Sequence, residues 1–385
     1  MSSSGIEIIE CTTPQQRTEF IHFQWVPYKG NPNWIPPLLS DRQTFFDKTK
    51  HPFHQHAEVA MFLAKRDGQP VGTICAIDNF KHNEFHNENI GMFGIFECIN
   101  DQAVADALFD RAEKWLKARG RSSIRGPFNF STNEECGLLI DAFDDTPRVM
   151  MTYNPPYYRE LIEHRGYTKA MDLYAYRKDV SQIHTLDAFP PKLKRVTEKI
   201  MQRSEIVIRN VDMKHFDEEV ERLKVIYNAS WARNWGFVPM TDAEFDHLAK
   251  GLKMVLDPDL IFVVEAKGKP VGMGLTLPDV NEPLRRAYPK PGVPEWWTLI
   301  KFFYNLKFRK VMKYIRVLVL GVLPEYRVSG IDGVLYAKTA EAAMKKGYYL
   351  GELSWILENN VPMRKALESL GCVIYKTYRI YEKPL

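Results

Sequence analysis

Apolar and polar positions alternate along this chain in short blocks, and two of the blocks are nearly the same. Residues 62–77 (FLAKRDGQPVGTICAI) and 262–277 (FVVEAKGKPVGMGLTL) share Phe, Gly, Pro, Val and Gly at one spacing, with Gly68, Pro70, Val71 and Gly72 returning as Gly268, Pro270, Val271 and Gly272. Each predicts a β-hairpin: an apolar strand, a charged turn built on glycine, then a second strand opening on Pro-Val-Gly. At the same offset of 200, Ile6-Glu-Ile8 and Ile206-Val-Ile208 predict short opening strands. At an offset of 205, Asn154-PPYYRELIEHRG-Tyr167 and Asn359-NVPMRKALESLG-Cys372 each predict a Pro-started helix stopped by glycine, then a strand. Four matching elements in one order predict two copies of one α/β unit: residues 1–180, a connector over 181–205 with Pro190-Pro191 and a short basic helix, and residues 206–385.

The second copy holds the most informative block, residues 317–347. An apolar, β-branched run over 317–322 reads as a buried strand that Pro324 ends, since proline cannot donate to a ladder. A loop comes next, and then a helical pattern from Ile331 that Gly347 stops. Strand, tight loop and helix together aim loop amides and a helix dipole at one point, which is suited to phosphate. The first copy has no such loop. Its fourth strand, 91–98, runs into Asn100-Asp101 and a helix from Gln102, and Glu97 and Asp101 are the wrong charge for a diphosphate.

The loop, Arg327-Val-Ser-Gly330-Ile-Asp332, resembles the Q/R-x-x-G-x-G/A pyrophosphate loop of the GNAT acyl-CoA N-acyltransferases. The flanking Val322-x-Pro324-x-x-Arg327 and the later Asn360 and Leu370-Gly371 resemble the same family's pattern. Asp332 departs from it, standing where Gly or Ala is usual, with Gly333 adjacent. The order β-α-α-β-β-β-α-β-α-β-β in both copies is that of the family's fold. The resemblance therefore implies an α/β (α+β) protein of two tandem GNAT-like units, each a mixed, largely antiparallel sheet flanked by helices. It implies acyl-CoA as co-substrate in the second unit only. Arg327, Ser329, Gly330, Ile331 and Gly333 would hold the diphosphate; Leu320, Val322 and Leu323 would offer backbone groups to the pantetheine arm and thioester oxygen; Asn359 and Asn360 would meet the cofactor arm, or simply cap the helix.

The reaction so implied is direct attack of an amine on the thioester, with no acyl-enzyme nucleophile in the pattern. The amine must lose a proton first, and Glu358, after the fifth strand, is the candidate base. The tyrosine that the family uses as general acid falls on Leu367 here. Tyr375, Tyr378 and Tyr381 on the terminal strand are the substitutes, and Tyr381 stands as the candidate. In the first copy, Asn129, Asn133, Glu134, Tyr153 and Asn154 lie in polar, aromatic loops of the kind that shape an acceptor pocket.

The copies differ again between strands three and four, where the second carries an insertion over 278–314. Residues 281–316 hold nine Lys/Arg and two Glu together with Trp296, Trp297, Phe302, Phe303, Tyr304 and Phe308. Two readings stay open: a helix packed on its own domain with snorkelling lysines, or an interfacial helix over 283–314 that touches membrane or a long acyl chain. The second favours a lipid-like amine of the sphingoid-base type as acceptor. The alternatives are a CoA-binding scaffold without turnover, kept open by Asp332 and Leu367, and an aminoacyl-tRNA-dependent peptidyl ligase.

Composition narrows the partners. The net charge of +4 over 385 residues does not mark a nucleic-acid binder. Cys11, Cys75, Cys98, Cys136 and Cys372 lack C-x-x-C spacing and read as reduced. With no signal-peptide pattern at the N-terminus and no apolar run long enough to span a bilayer, the expected location is the cytoplasm, at the inner membrane face if the insertion is interfacial. His51, His54 and His56, and His82 with His86, lack the companions of a zinc site, so no metal is expected.

Overall fold

The computed structural model describes residues 5–181, 189–203, 205–327 and 329–385, apart from the side chain of Lys192. Part of the connector and Val328 of the loop therefore lie outside the described residues. In chain order the elements are β1 (Ile6–Glu10), α1 (Pro14–Phe23), α2 (Leu39–Phe45), β2 (Ala57–Arg66), β3 (Gln69–Asn79), α3 (Phe80–His86), β4 (Ile90–Cys98), α4 (Gln102–Lys117), β5 (Ser123–Gly126), β6 (Leu138–Leu139), α5 (Tyr158–Glu163) and β7 (Thr168–Asp179). The chain continues with α6 (Pro191–Met201), β8 (Ile206–Asn210), α7 (Phe216–Trp231), α8 (Asp242–Leu252), β9 (Ile261–Ala266), β10 (Lys269–Pro278), α9 (Asn281–Ala287), α10 (Glu295–Phe303), β11 (Tyr314–Val322), α11 (Ile331–Lys345), β12 (Leu350–Leu357), α12 (Val361–Ser369) and β13 (Val373–Pro384).

The repeat is present in the backbone. Both hairpin turns place two consecutive residues in the left-handed region, Asp67-Gly68 and Lys267-Gly268. That is the twist-matched two-residue turn that antiparallel strands favour. In each copy three antiparallel pairings lead to one parallel pairing: β1-β2-β3-β4 then β5, and β8-β9-β10-β11 then β12.

Compact units and sequence copies do not coincide. Unit 1 comprises Met1–Leu173, Pro283–Arg309 and Lys376–Leu385; unit 2 comprises Tyr174–Glu282 and Lys310–Tyr375. Most of the insertion and the end of β13 thus belong with the first copy, and α6 and the end of β7 with the second. In unit 1 the place beside β5 is taken by β13, with Tyr381 opposite Gly126. Pairing partners distant in sequence are set by tertiary packing, which a local pattern does not report.

In unit 1, Val104, Leu108, Ala112 and Leu116 of α4 recur every fourth residue and bury against Phe62, Ile74 and Phe93 of the sheet. In unit 2, α11 covers one sheet face through Ile331 and Leu335 against Phe262, Val264 and Val322. The opposite face takes α7, with Leu223 and Ile226 on Val263, Met273 and Val319. Burial of each such side chain contributes about 1.5–3 kcal/mol.

Candidate active site

In unit 2 the ladder between β11 and β12 is short. It runs from Tyr314 opposite Leu350 to Val317 opposite Leu353 and stops. At that point β11 carries a bulge: Leu275 faces Val319 but Thr276 faces Val317, so Leu318 is the extra residue. A bulge bends its strand and re-aims the residues on its far side. Among the described residues no backbone hydrogen bond joins 318–322 to 354–357. The two strands therefore diverge beside the expected Leu320, Val322 and Leu323.

The loop beyond is held by itself. Ser329 Oγ donates to the Tyr326 carbonyl at 2.6 Å, and the Arg327 guanidinium donates to the Ser230 carbonyl of α7 at 2.8 Å. Gly330, at φ +86°, starts α11 and has no side chain to cap it, while Ile331 N donates to Ser329 Oγ at 3.4 Å. A glycine at the N-cap supplies no side-chain acceptor of its own to the amides at a helix's positive end. The glycines also serve packing: a Cβ on Gly330 would collide with Val196 of α6, and one on Gly333 with Leu193. The apolar stripe of α6 thus lies on the loop's glycine face, a contact between segments 130 residues apart that the sequence did not reveal.

Glu358, Asn359 and Asn360 lie in unit 2 as well, after β12. Asn360 caps α12, accepting from Met363 N at 3.3 Å, and the Glu358 carbonyl accepts from Arg364 at 2.9 Å. Tyr381 is a correction. It belongs to unit 1, is 1% exposed, and already donates its hydroxyl to Glu163 Oε1 at 2.9 Å. The strand that carries it is seated beside β5 of the first copy, so it is core rather than a general acid.

Sequence reasoning missed a buried polar group on the other face of β11 and β12. Arg316 and Glu352 are register partners. Arg316 Nε donates to Ser354 Oγ at 2.9 Å, Ser354 Oγ donates to Glu352 Oε1 at 2.5 Å, and the Tyr375 hydroxyl donates to Glu352 Oε2. Ile315, Val317, Gly351 and Leu353 line a hollow with Tyr336, Thr339 and Ala340 of α11. By strand alternation Arg316, Glu352 and Ser354 point to the face away from α11. The available signal was a charge inside each of two runs that otherwise read as buried strand.

The first copy's polar loops are mostly scaffold. Asn154 is buried and spends its amide on Leu139, accepting from its N–H at 2.7 Å and donating to its carbonyl at 3.1 Å. Asn129 accepts from Ile95 N at 3.2 Å and donates to Glu135 at 3.1 Å. Both are corrected from substrate contacts to loop fasteners. Tyr153 donates to the Phe143 carbonyl at 2.8 Å, Asn133 N donates to Ser131 Oγ at 3.2 Å, and Glu134 lies 3.6 Å from His51. Glu97 is a hub: Tyr28 and Tyr158 donate to its Oε2 at 2.9 and 2.8 Å, and burial pushes its carboxyl up to about 7. His82 pairs with Glu88 at 3.0 Å, and no metal-ligating group of three occurs among the described residues.

No family model matches the chain. It is 38% identical over 389 residues to the bacterial ceramide synthase of Caulobacter vibrioides, covering 100% of this chain and 99% of that protein. It is 37% identical over 371 residues to protein YghO of Escherichia coli, covering 95% and 92%. Among solved structures it resembles a tandem GNAT protein of clavulanic acid biosynthesis, at TM-score 0.57 and 10% identity over 98% of each chain. It also resembles a GNAT-type acetyltransferase of Sphaerobacter thermophilus, at TM-score 0.50 and 13% identity over 98% and 95%. The order of strands and the full-length match agree: this chain belongs to the bacterial ceramide synthase family, acyltransferases built as a tandem GNAT fold.

Proposed function

We propose that the chain is an acyl-CoA-dependent N-acyltransferase that acylates a lipid-like amine of the sphingoid-base type. The observation that carries this reading is the divergence of β11 from β12 at Leu318, in a chain matched end to end by a ceramide synthase. The gap would take the pantetheine arm, with backbone groups of Leu320, Val322 and Leu323 beside it. The glycine-started N-terminus of α11, with Arg327, Ser329, Gly330, Ile331 and Gly333, would take the diphosphate. Asn359 and Asn360 would stand beside the arm.

The chemistry balances without a metal or an acyl-enzyme. The neutral amine's lone pair forms the C–N bond, the thioester C–S bond breaks, and CoA leaves as thiolate. The amine's proton goes to a base and a proton returns to the thiolate. Glu358 would serve as base. In place of Tyr381, the Tyr375–Glu352 pair on the face away from α11 would relay the proton. Each residue is in unit 2.

The test is thiol release by the purified chain with palmitoyl-CoA or acetyl-CoA and a panel of amines. Release with palmitoyl-CoA and sphinganine, with the amide found by mass spectrometry, is expected. CoA binding without release for any amine would replace the transferase with a binding protein, and absence of CoA binding would remove the site. Tyr375→Phe should lower kcat by roughly 10²-fold with KM little changed.

A further inference from the structure

The segment Pro283–Arg309 packs with unit 1. Trp25 Nε1 donates to the Pro289 carbonyl at 2.9 Å, and the Ser40 amide donates to Glu295 Oε2 at 2.9 Å. From there α10 and a π-helical turn over Tyr304–Phe308 form one rod. Its inward residues are Thr298, Phe302 and Asn305, all buried. Its outward row is Trp296, Ile300, Tyr304 and Phe308, which are 63%, 52%, 55% and 78% exposed, with Trp297 beside it at 44%. The polarity is largely inverted. A helix on a water-facing surface turns its apolar stripe inward, whereas here a hydroxyl and an amide accompany Phe302 inward and the other four large apolar side chains of the row face out.

Charge says what the row meets. Arg285, Arg286 and Lys290 precede it, and Lys301, Lys307 and Arg309 are interleaved with it; all six are exposed. Among the described residues none of them forms an ion pair with a carboxylate. The one acidic residue of 283–309 is Glu295, whose carboxylate is engaged by Ser40. A protein-binding core is depleted in lysine. Tryptophan and tyrosine with flanking cations suit the boundary between headgroups and acyl chains, above all where anionic lipid is present. The rod is about 21 Å long at 1.5 Å per residue, which suits lying in that plane, and no helix among the described residues is long and apolar enough to cross a membrane.

We infer that α10 and the turn after it are a membrane-docking surface that seats unit 1 on an anionic bilayer through Trp296, Ile300, Tyr304 and Phe308. The inference does not depend on acyl transfer, and its test uses no acyl-CoA. The full chain is floated with vesicles of phosphatidylcholine alone and of phosphatidylcholine with about one-third phosphatidylglycerol, while tryptophan emission is monitored. Flotation with the anionic vesicles and a blue shift are expected. The combined Trp296→Ser, Ile300→Ser, Phe308→Ser variant should partition at least about tenfold more weakly with an unchanged circular dichroism melt. Lys301→Gln with Lys307→Gln and Arg309→Gln should lose about tenfold on anionic vesicles alone. No flotation of the wild type, or equal flotation of the serine variant, overturns the inference. So does a wild-type dimer that the serine variant converts to monomer, because the row is then a contact between copies.

Discussion

In unit 1 the helix after β4 starts on Asp101, whose carboxylate accepts from Ala103 N at 2.9 Å and Val104 N at 3.4 Å. In unit 2 the corresponding helix starts on Gly330, which carries no side chain, and among the described residues only the neutral Ser329 Oγ accepts from Ile331 N, at 3.4 Å. The strands differ in the same sense. Past the last β4–β5 pair, Met92 with Arg125, the chain closes on itself: Phe128 N donates to the Phe93 carbonyl at 2.8 Å and Ile95 N to Asn129 Oδ1 at 3.2 Å. Past the last β11–β12 pair no backbone hydrogen bond joins 318–322 to 354–357 among the described residues, and the link there is the Arg316 side chain to Ser354. One fold has thus been finished in two ways. In unit 1 a carboxylate and the chain's own loop satisfy the corner; in unit 2 the carboxylate and the backbone closure are absent among the described residues, and the proposed function puts the ligand there.

This comparison can be broken at graded cost. Gly94 sits under the closing loop, where a Cβ would collide with the Phe128 carbonyl. Gly94→Ala should destabilise unit 1 by about 3 kcal/mol, read by denaturant melts, while CoA affinity of the folded fraction by calorimetry stays unchanged. Arg327→Glu should weaken CoA binding by roughly tenfold or more, or about 1.4 kcal/mol, without a comparable change in stability. Unchanged binding would remove the loop from the site. Asp101→Ala deletes the cap of the closed corner and should cost about 1 kcal/mol, with transfer activity retained.

A smaller effect distinguishes the units by pH. Burial holds the Glu97 carboxyl at about 7, above its ordinary 4.5. Between those values the folded chain keeps a proton that the unfolded chain has lost, so stability falls as pH rises through the window. Glu97→Gln should remove that fall. The wild type should lose more melting temperature from pH 5 to pH 8 than the variant, while CoA affinity at each pH is the same for both.

The fold was legible because its signals are local and occur twice: a charged glycine turn makes the same hairpin at 67–68 as at 267–268. The strand-loop-helix of 317–347 occurs once, but its signals are local too: an apolar run, a proline and a glycine in order. What escaped depends on partners far along the chain. A glycine before a helix reads alike whether phosphate or Val196 of α6 comes close to it. Tyr381 looked like a neighbour of the second site until β13 was found beside β5. Asn129 and Asn154 have the composition of a pocket, but their amides fasten backbone. Arg316 and Glu352 make sense only once the register sets them side by side.

Hydrogen–deuterium exchange of the full chain with and without palmitoyl-CoA tests the account most directly. Protection of the backbone over 318–333, with exchange over 91–104 unaltered, is the predicted result. Protection over 91–104 with none over 318–333 would contradict it.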